Sequence, residues 1–315
     1  MNRSFPPSLA SLVALALVLA ANPAFAVEAP KPKAPEMPLF EVAQPYPNSW
    51  YGRFGPTNCS WIDTGDGVLV IDTGATAADA KNLKAEIART TKNKPIKWIA
   101  MTHLHSDSND GFMTFLPTDA TLLVNVRATG AIASAIAQGE AKAPHVIGIS
   151  DRIMLVAGKQ VFEIGVPAGN AHTPFDLYVF DVSTHTVFAG DLVTTDRCPM
   201  LSDPDSDLKG WLAILERFDA LGARGLVPTR GNPTGNAVPE IEKTRHYLTS
   251  MLAFLVEKKK QNAPEARISG ELAAEKLGDY CPRELNALNA LSVYRRLLSD
   301  GTTRPGSAAA KPAAK

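Results

Sequence analysis

Mixed α/β layers packed around sheets are the fold class this sequence predicts. Three observations carry the expectation: short runs of β-branched and apolar residues, stretches with apolar residues at helical spacing, and an alternation of the two with no repeat of fixed period. Composition agrees. At 45% hydrophobic residues the chain is too apolar for disorder, and 3 Cys are too few for a disulfide scaffold. The balance of 32 basic against 32 acidic side chains leaves no excess to attract nucleic acid.

The first 26 residues read as a secretory leader, because Arg3 precedes an uncharged run, Leu9 to Ala21, that ends in Ala24-Phe25-Ala26. That apolar core of about 13 residues is shorter than the roughly 20 needed to span a bilayer, so no stable membrane anchor is expected. The chain is expected to be exported, into the periplasm, as a nearly neutral protein. Residues 27–38 (VEAPKPKAPEMP) and the tail 304–315 read as extended tethers. Between them the pattern predicts a main domain over 39–262 and a C-terminal helical extension over 263–303.

In order along the chain, residues 58–63, a Gly-Asp-Gly turn at 65–67 and residues 68–72 predict a β-hairpin. Residues 77–89 carry helical spacing. Residues 96–101, bounded by Pro95 and a polar cluster, read as a buried strand. The alternation continues with strand 121–126, helix 128–138, strands 152–157, 160–166, 177–182 and 187–189, helix 208–221 and strand 225–228. Helices are expected at 239–261, 271–278 and 283–299, the last two as an amphipathic pair packed on the domain.

The chemistry concentrates in Thr102-His103-Leu104-His105-Ser106-Asp107, directly after the strand ending at Met101. Residues two apart at a strand end point the same way, so His103, His105 and Asp107 can converge on one point. Imidazole suits zinc, and a carboxylate either ligates or orients an attacking water. Local hydrogen bonding is the plainer reading for a lone loop histidine; two in three residues followed by Asp argue against it. A catalytic zinc needs a third protein ligand and an open position. His172, in Gly169-Asn170-Ala171-His172-Thr173-Pro174, lies in a similar strand-end loop.

These motifs, in this order, resemble the metallo-β-lactamase superfamily: an HxHxD motif, a later His-Thr-Pro histidine, then the Gly-Asp of Phe188-Ala189-Gly190-Asp191-Leu192. Residues 55 to about 235 run in register with it, including the upstream IDTGDGVLVIDTG segment with Asp72. The resemblance implies an αββα sandwich with its metal site at one edge of the two sheets. It also implies a zinc site of His103, His105 and His172, with Asp107 and Asp191 as the carboxylates of a second site.

Several positions depart from the family pattern. Ser108 stands where many dinuclear members place a His, Asp191 where class B β-lactamases have Cys, and Arg230 where they have His; Asp110 replaces the first of their paired glycines. Arginine cannot be deprotonated and so cannot ligate a metal, but its guanidinium pairs bidentately with carboxylates. One zinc is therefore expected, with Arg230 standing in electrostatically for a second cation.

The implied activity is hydrolysis of a small molecule, a β-lactam or related amide or ester, with water activated by zinc and oriented or deprotonated by Asp107. The alternatives are a thioesterase, lactonase or quinoprotein-relay type of hydrolase, and a degenerate non-catalytic zinc-binding module. His145, His185 and His246 read as surface or loop residues, Trp61 and Trp98 as core. Cys198 reads as a buried inert thiol, and the sequence leaves open which of Cys59, Cys198 and Cys281 pair, if any do.

Overall fold

The structure, a computed structural model, describes residues 42–116, 119–138, 145–274 and 281–299. The expected leader 1–26, linker 27–38 and tail 304–315 lie outside the described residues, as do positions 275–278 of the helix expected at 271–278.

Seven strands form the first sheet in chain order: β1 (Val42–Tyr46), β2 (Ser49–Phe54), β3 (Thr57–Asp63), β4 (Val68–Ile71), β5 (Ile96–Ala100), β6 (Thr121–Asn125) and β7 (His145–Ile149). Strands β1 to β4 pair antiparallel, and β4 to β7 run parallel. The second sheet comprises β8 (Arg152–Ala157), β9 (Gln160–Gly165), β10 (Tyr178–Asp181), β11 (Thr186–Gly190) and β12 (Gly225–Pro228), in the order β12-β11-β10-β9-β8. Only β11 and β12 are parallel there.

Three apolar clusters define four layers. Val68, Val70, Ile99, Leu122 and Val124 face α1 (Ala77–Thr91) across one of them, and their neighbours Leu69, Ile71, Ala100 and Leu123 face Phe162, Ile164, Val179 and Phe188 of the other sheet. Strands buried on both faces must be apolar throughout, which is why β4 reads as an unbroken run. The third cluster lies between the second sheet and α4 (Leu208–Ala220), α5 (Ala237–Lys260), α6 (Glu265–Ala274) and α7 (Arg283–Ser299). The result is an αββα sandwich with a helical C-terminal extension. Between β5 and β7, α2 (Ser106–Asn109) leads into a 3-10 turn, and α3 (Thr129–Gln138) packs with α1 on the first sheet.

The local signals explain the element ends. Thr76 caps α1 by accepting from the Asp79 N–H, and Asp207 caps α4 by accepting from the Lys209 N–H. Leu208, Trp211, Leu215 and Phe218 then bury one face of α4.

Some elements depart from the sequence expectation. β1 and β2 were hidden by Pro45 and Pro47, which read as breakers, yet Pro45 is tolerated in an edge strand. β7 is a short, largely exposed edge strand with Gly148 next to its last residue. α6 starts at Glu265, ahead of the expected 271, because Ile268 and Leu272, four apart, are buried despite Gly270. Trp61 is fully buried, whereas Trp98 is half-buried. Cys198 is not a free thiol: it is disulfide-bonded to Cys281, and Cys59 is the free, buried cysteine.

Candidate metal centre

The sheet edge that carries the C-terminal ends of β4, β5, β11 and β12 gathers the polar side chains. Asp72, just past β4, is buried with a left-handed φ of 62°. It accepts hydrogen bonds from Thr102 N (2.8 Å), Thr102 Oγ1, Asn109 Nδ2 (2.7 Å) and Thr229 Oγ1 (3.0 Å). One carboxylate thereby ties together the loops after β5 and β12. Burial pushes its pKa up to about 6 against those hydrogen bonds, so it is ionised at neutral pH.

His103, His105 and His172 stand with their rings nearly perpendicular to one another, centroids 4.9 to 5.1 Å apart. With Asp191 they present four ligand atoms that all lie within 4.8 Å of one another. His103 Nε2, both ring nitrogens of His172 and Asp191 Oδ1 are buried and make no hydrogen bond among the described residues. Leaving such groups unpaired costs about 1–3 kcal/mol each; a metal ion held by the cluster would take the Nε2 lone pairs of His103 and His172, whereas His172 Nδ1 faces Asp176. Nitrogen donors with one carboxylate oxygen suit zinc among the common divalent ions.

Each histidine is oriented through the nitrogen turned away from the cluster. The Thr102 hydroxyl donates its one proton to Asp72, so it accepts from His103 Nδ1 (3.0 Å), which leaves His103 Nε2 unprotonated toward the cluster. His105 Nε2 is hydrogen-bonded to Asp203 Oδ2 at 3.1 Å. His172 Nδ1 lies 3.5 Å from Asp176 Oδ1, and Asp176 is itself fixed by Thr173 N and Thr173 Oγ1, both at 2.8 Å. Burial lowers the His103 pKa to about 4, opposed by Asp191, so His103 is neutral and ready to ligate. For His172 burial also opposes the charged form, but Asp176 and Asp191 outweigh it and raise its pKa.

The other side of the cluster is closed by a cation the chain itself supplies. Arg230 donates from Nε to Asp191 Oδ2 at 2.8 Å and from Nη2 to Asp107 Oδ2. Burial acts to raise the Asp191 pKa, yet His103, His172 and Arg230 hold it far below the usual carboxylate range. The backbone sets this position. Gly190, with φ 59°, places Asp191 where any Cβ on the glycine would meet Thr102 Cβ at 2.7 Å, and Gly231, with φ 96°, would put a Cβ 2.0 Å from Thr195 O.

The structure thus brings His103, His105, His172 and Asp191 together, and sets Asp107 apart from that group, on Arg230. His145 and His246 are exposed, and His185 lies in the β10–β11 turn. Sequence reasoning missed the supporting residues Thr102, Asn109, Asp176, Asp203 and Thr229. Thr102 and Asn109 flank the motif and could have been suspected; Asp203, within an Asp-Pro-Asp-Ser-Asp run, carries no local signal that separates it from its neighbours.

The metallo-beta-lactamase superfamily model matches residues 52–230. The chain belongs to that superfamily. Solved structures agree on the fold. The stereoselective inverting sec-alkylsulfatase Pisa1 from Pseudomonas sp. superimposes with a TM-score of 0.68 at 16% identity, over 82% of this chain and 50% of that one. The chain therefore spans half the length of that alkylsulfatase. Metallo-beta-lactamases from Pontibacter korlensis (TM-score 0.57, 22% identity, 67% of this chain and 99% of that one) and Erythrobacter litoralis (0.53, 18%, 67% and 96%) also share the fold. No curated protein sequence matches. In this chain an arginine lies between the two carboxylates beside the histidine cluster.

Proposed function

We propose that the chain is an exported hydrolase of the superfamily that works with a single zinc held by His103, His105 and His172. The observation that supports this best is the set of buried, unpartnered donor atoms on one side and the paired Asp107–Arg230–Asp191 group on the other. Zinc, when bound, supplies Lewis-acid activation of water at neutral pH and polarisation of the bond to be cleaved. His105 and Asp107 are the partly exposed members of the site, so substrate approaches on their side. Asp107, its carboxylate fixed by Arg230, orients the attacking water and takes its proton. Arg230 holds Asp191 ionised and occupies the place of a second cation.

The proposed substrate is a β-lactam or a related small amide or ester. Turnover by zinc-loaded protein of a chromogenic cephalosporin, a thioester, a lactone and a secondary alkyl sulfate tests the reading and ranks these classes. A second reading has one observation in its favour: Asp191 makes the histidine cluster a set of four protein donors, the number that closes a structural zinc site. Stoichiometric zinc with no turnover across the panel would favour that non-catalytic module.

A further inference from the structure

The segment from Cys198 to Asp207 runs between the metal centre and the last helix, and α7 grips it by three independent means. The Cys198–Cys281 disulfide joins its start to the residue pair preceding α7. Asn289, fully buried, accepts from Leu201 N and donates to Pro199 O, both at 2.8 Å. Arg296 donates to Asp203 O (2.7 Å), to Leu201 O (3.0 Å) and to Ser206 Oγ (2.9 Å). The gripped segment carries Asp203, whose Oδ2 meets His105 Nε2.

We propose that Asp203 is a positioning residue for His105, and that α7 with its disulfide is the strap that sets Asp203. The inference rests on the metal-centre reading above and deepens it. His105 is the least buried of the three histidines and lies in a loop, so its ring has the least packing to hold it. A carboxylate on Nε2 fixes the ring with Nδ1 turned to the cluster. The carboxylate is useful only if its backbone is still, and Arg296 holds that backbone at the Asp203 carbonyl itself. The C-terminal extension is thereby part of the site without touching substrate or metal.

The test combines a double-mutant cycle with a readout on metal-free protein. Zinc affinity is measured by competition with a chromophoric chelator for Asp203→Ala, Asp203→Asn, Arg296→Ala and the Asp203→Ala/Arg296→Ala pair, with thermal melts confirming that each is folded at the assay temperature. Asp203→Ala is expected to weaken zinc roughly 10- to 100-fold, the usual cost of losing an outer-shell partner, with Asp203→Asn retaining part because its carbonyl oxygen still accepts. Arg296→Ala weakens zinc in the wild-type background and has no further effect once Asp203 is gone. Reducing the disulfide in the wild-type protein gives the same pattern, which covers the case where Arg296→Ala does not fold. In metal-free, histidine-labelled protein the His105 Nε2–H proton gives a hydrogen-bonded, slowly exchanging resonance that Asp203→Ala removes. Unchanged affinity and an unchanged resonance in Asp203→Ala would overturn the proposal, as would an Arg296→Ala cost that persists in its absence. Failure of the wild-type chain to bind zinc overturns the metal-centre reading alone, since the resonance still decides the contact.

Discussion

Two halves of one site meet at Asp191. On the histidine side, the buried Nε2 atoms of His103 and His172 face Asp191 and make no hydrogen bond among the described residues. On the arginine side, Asp107 and both donors that bridge it to Asp191 are paired within the chain. The two halves lie on the same sheet edge and share the same carboxylate, so burial alone does not explain why one is open to a cation and the other is filled. The difference lies in donor chemistry: imidazole offers a lone pair, whereas guanidinium brings a permanent charge and only donors.

The largest effect that sharpens this contrast comes from the open half. His105→Ala is expected to abolish stoichiometric zinc binding, as read by metal content after gel filtration. Arg230→Ala acts on the filled half. It should retain zinc but lose turnover, and it leaves Asp191 buried without its counter-charge, which costs about 3–5 kcal/mol in urea unfolding. Arg230→Lys keeps the charge without the planar fork and is expected to recover only part of that loss. Full activity in Arg230→Ala would break the comparison.

A pH effect of up to roughly 3 kcal/mol follows from His103 in the metal-free protein. Its pKa in the fold, about 4, lies below the unfolded value of 6.5, so its contribution to stability is present above 6.5 and is lost as pH falls toward 4. Urea midpoints of metal-free wild type should drop through that window more than those of His103→Gln. The smallest change converts the filled half into an open one: Arg230→His replaces the guanidinium with a ligand, and is expected to add a second, weaker metal without unfolding the chain.

Periodicity was enough to place most of the strands and helices because the inner strands are buried on both faces and therefore apolar throughout. It failed at β1 and β7, edge strands with few buried side chains, at β2, which follows Pro45 and Pro47 and buries only Ser49, Gly52 and Phe54, and at the start of α6, where Gly270 obscured a buried Ile268–Leu272 pair. The motif spacing located His103, His105 and His172, since strand-end geometry is local. The contacts from Asp203 to His105 and from α7 to the 198–207 segment join residues about 90 to 100 apart in sequence, and no local pattern encodes them. The Cys198–Cys281 pairing is of the same kind.

The most direct test of the contrast between the two halves is metal content per chain in purified wild-type protein equilibrated with excess zinc and desalted. A single zinc per chain is the result expected if Arg230 fills the second position. Two per chain would contradict that account, because the guanidinium would then have to leave the carboxylates it now bridges.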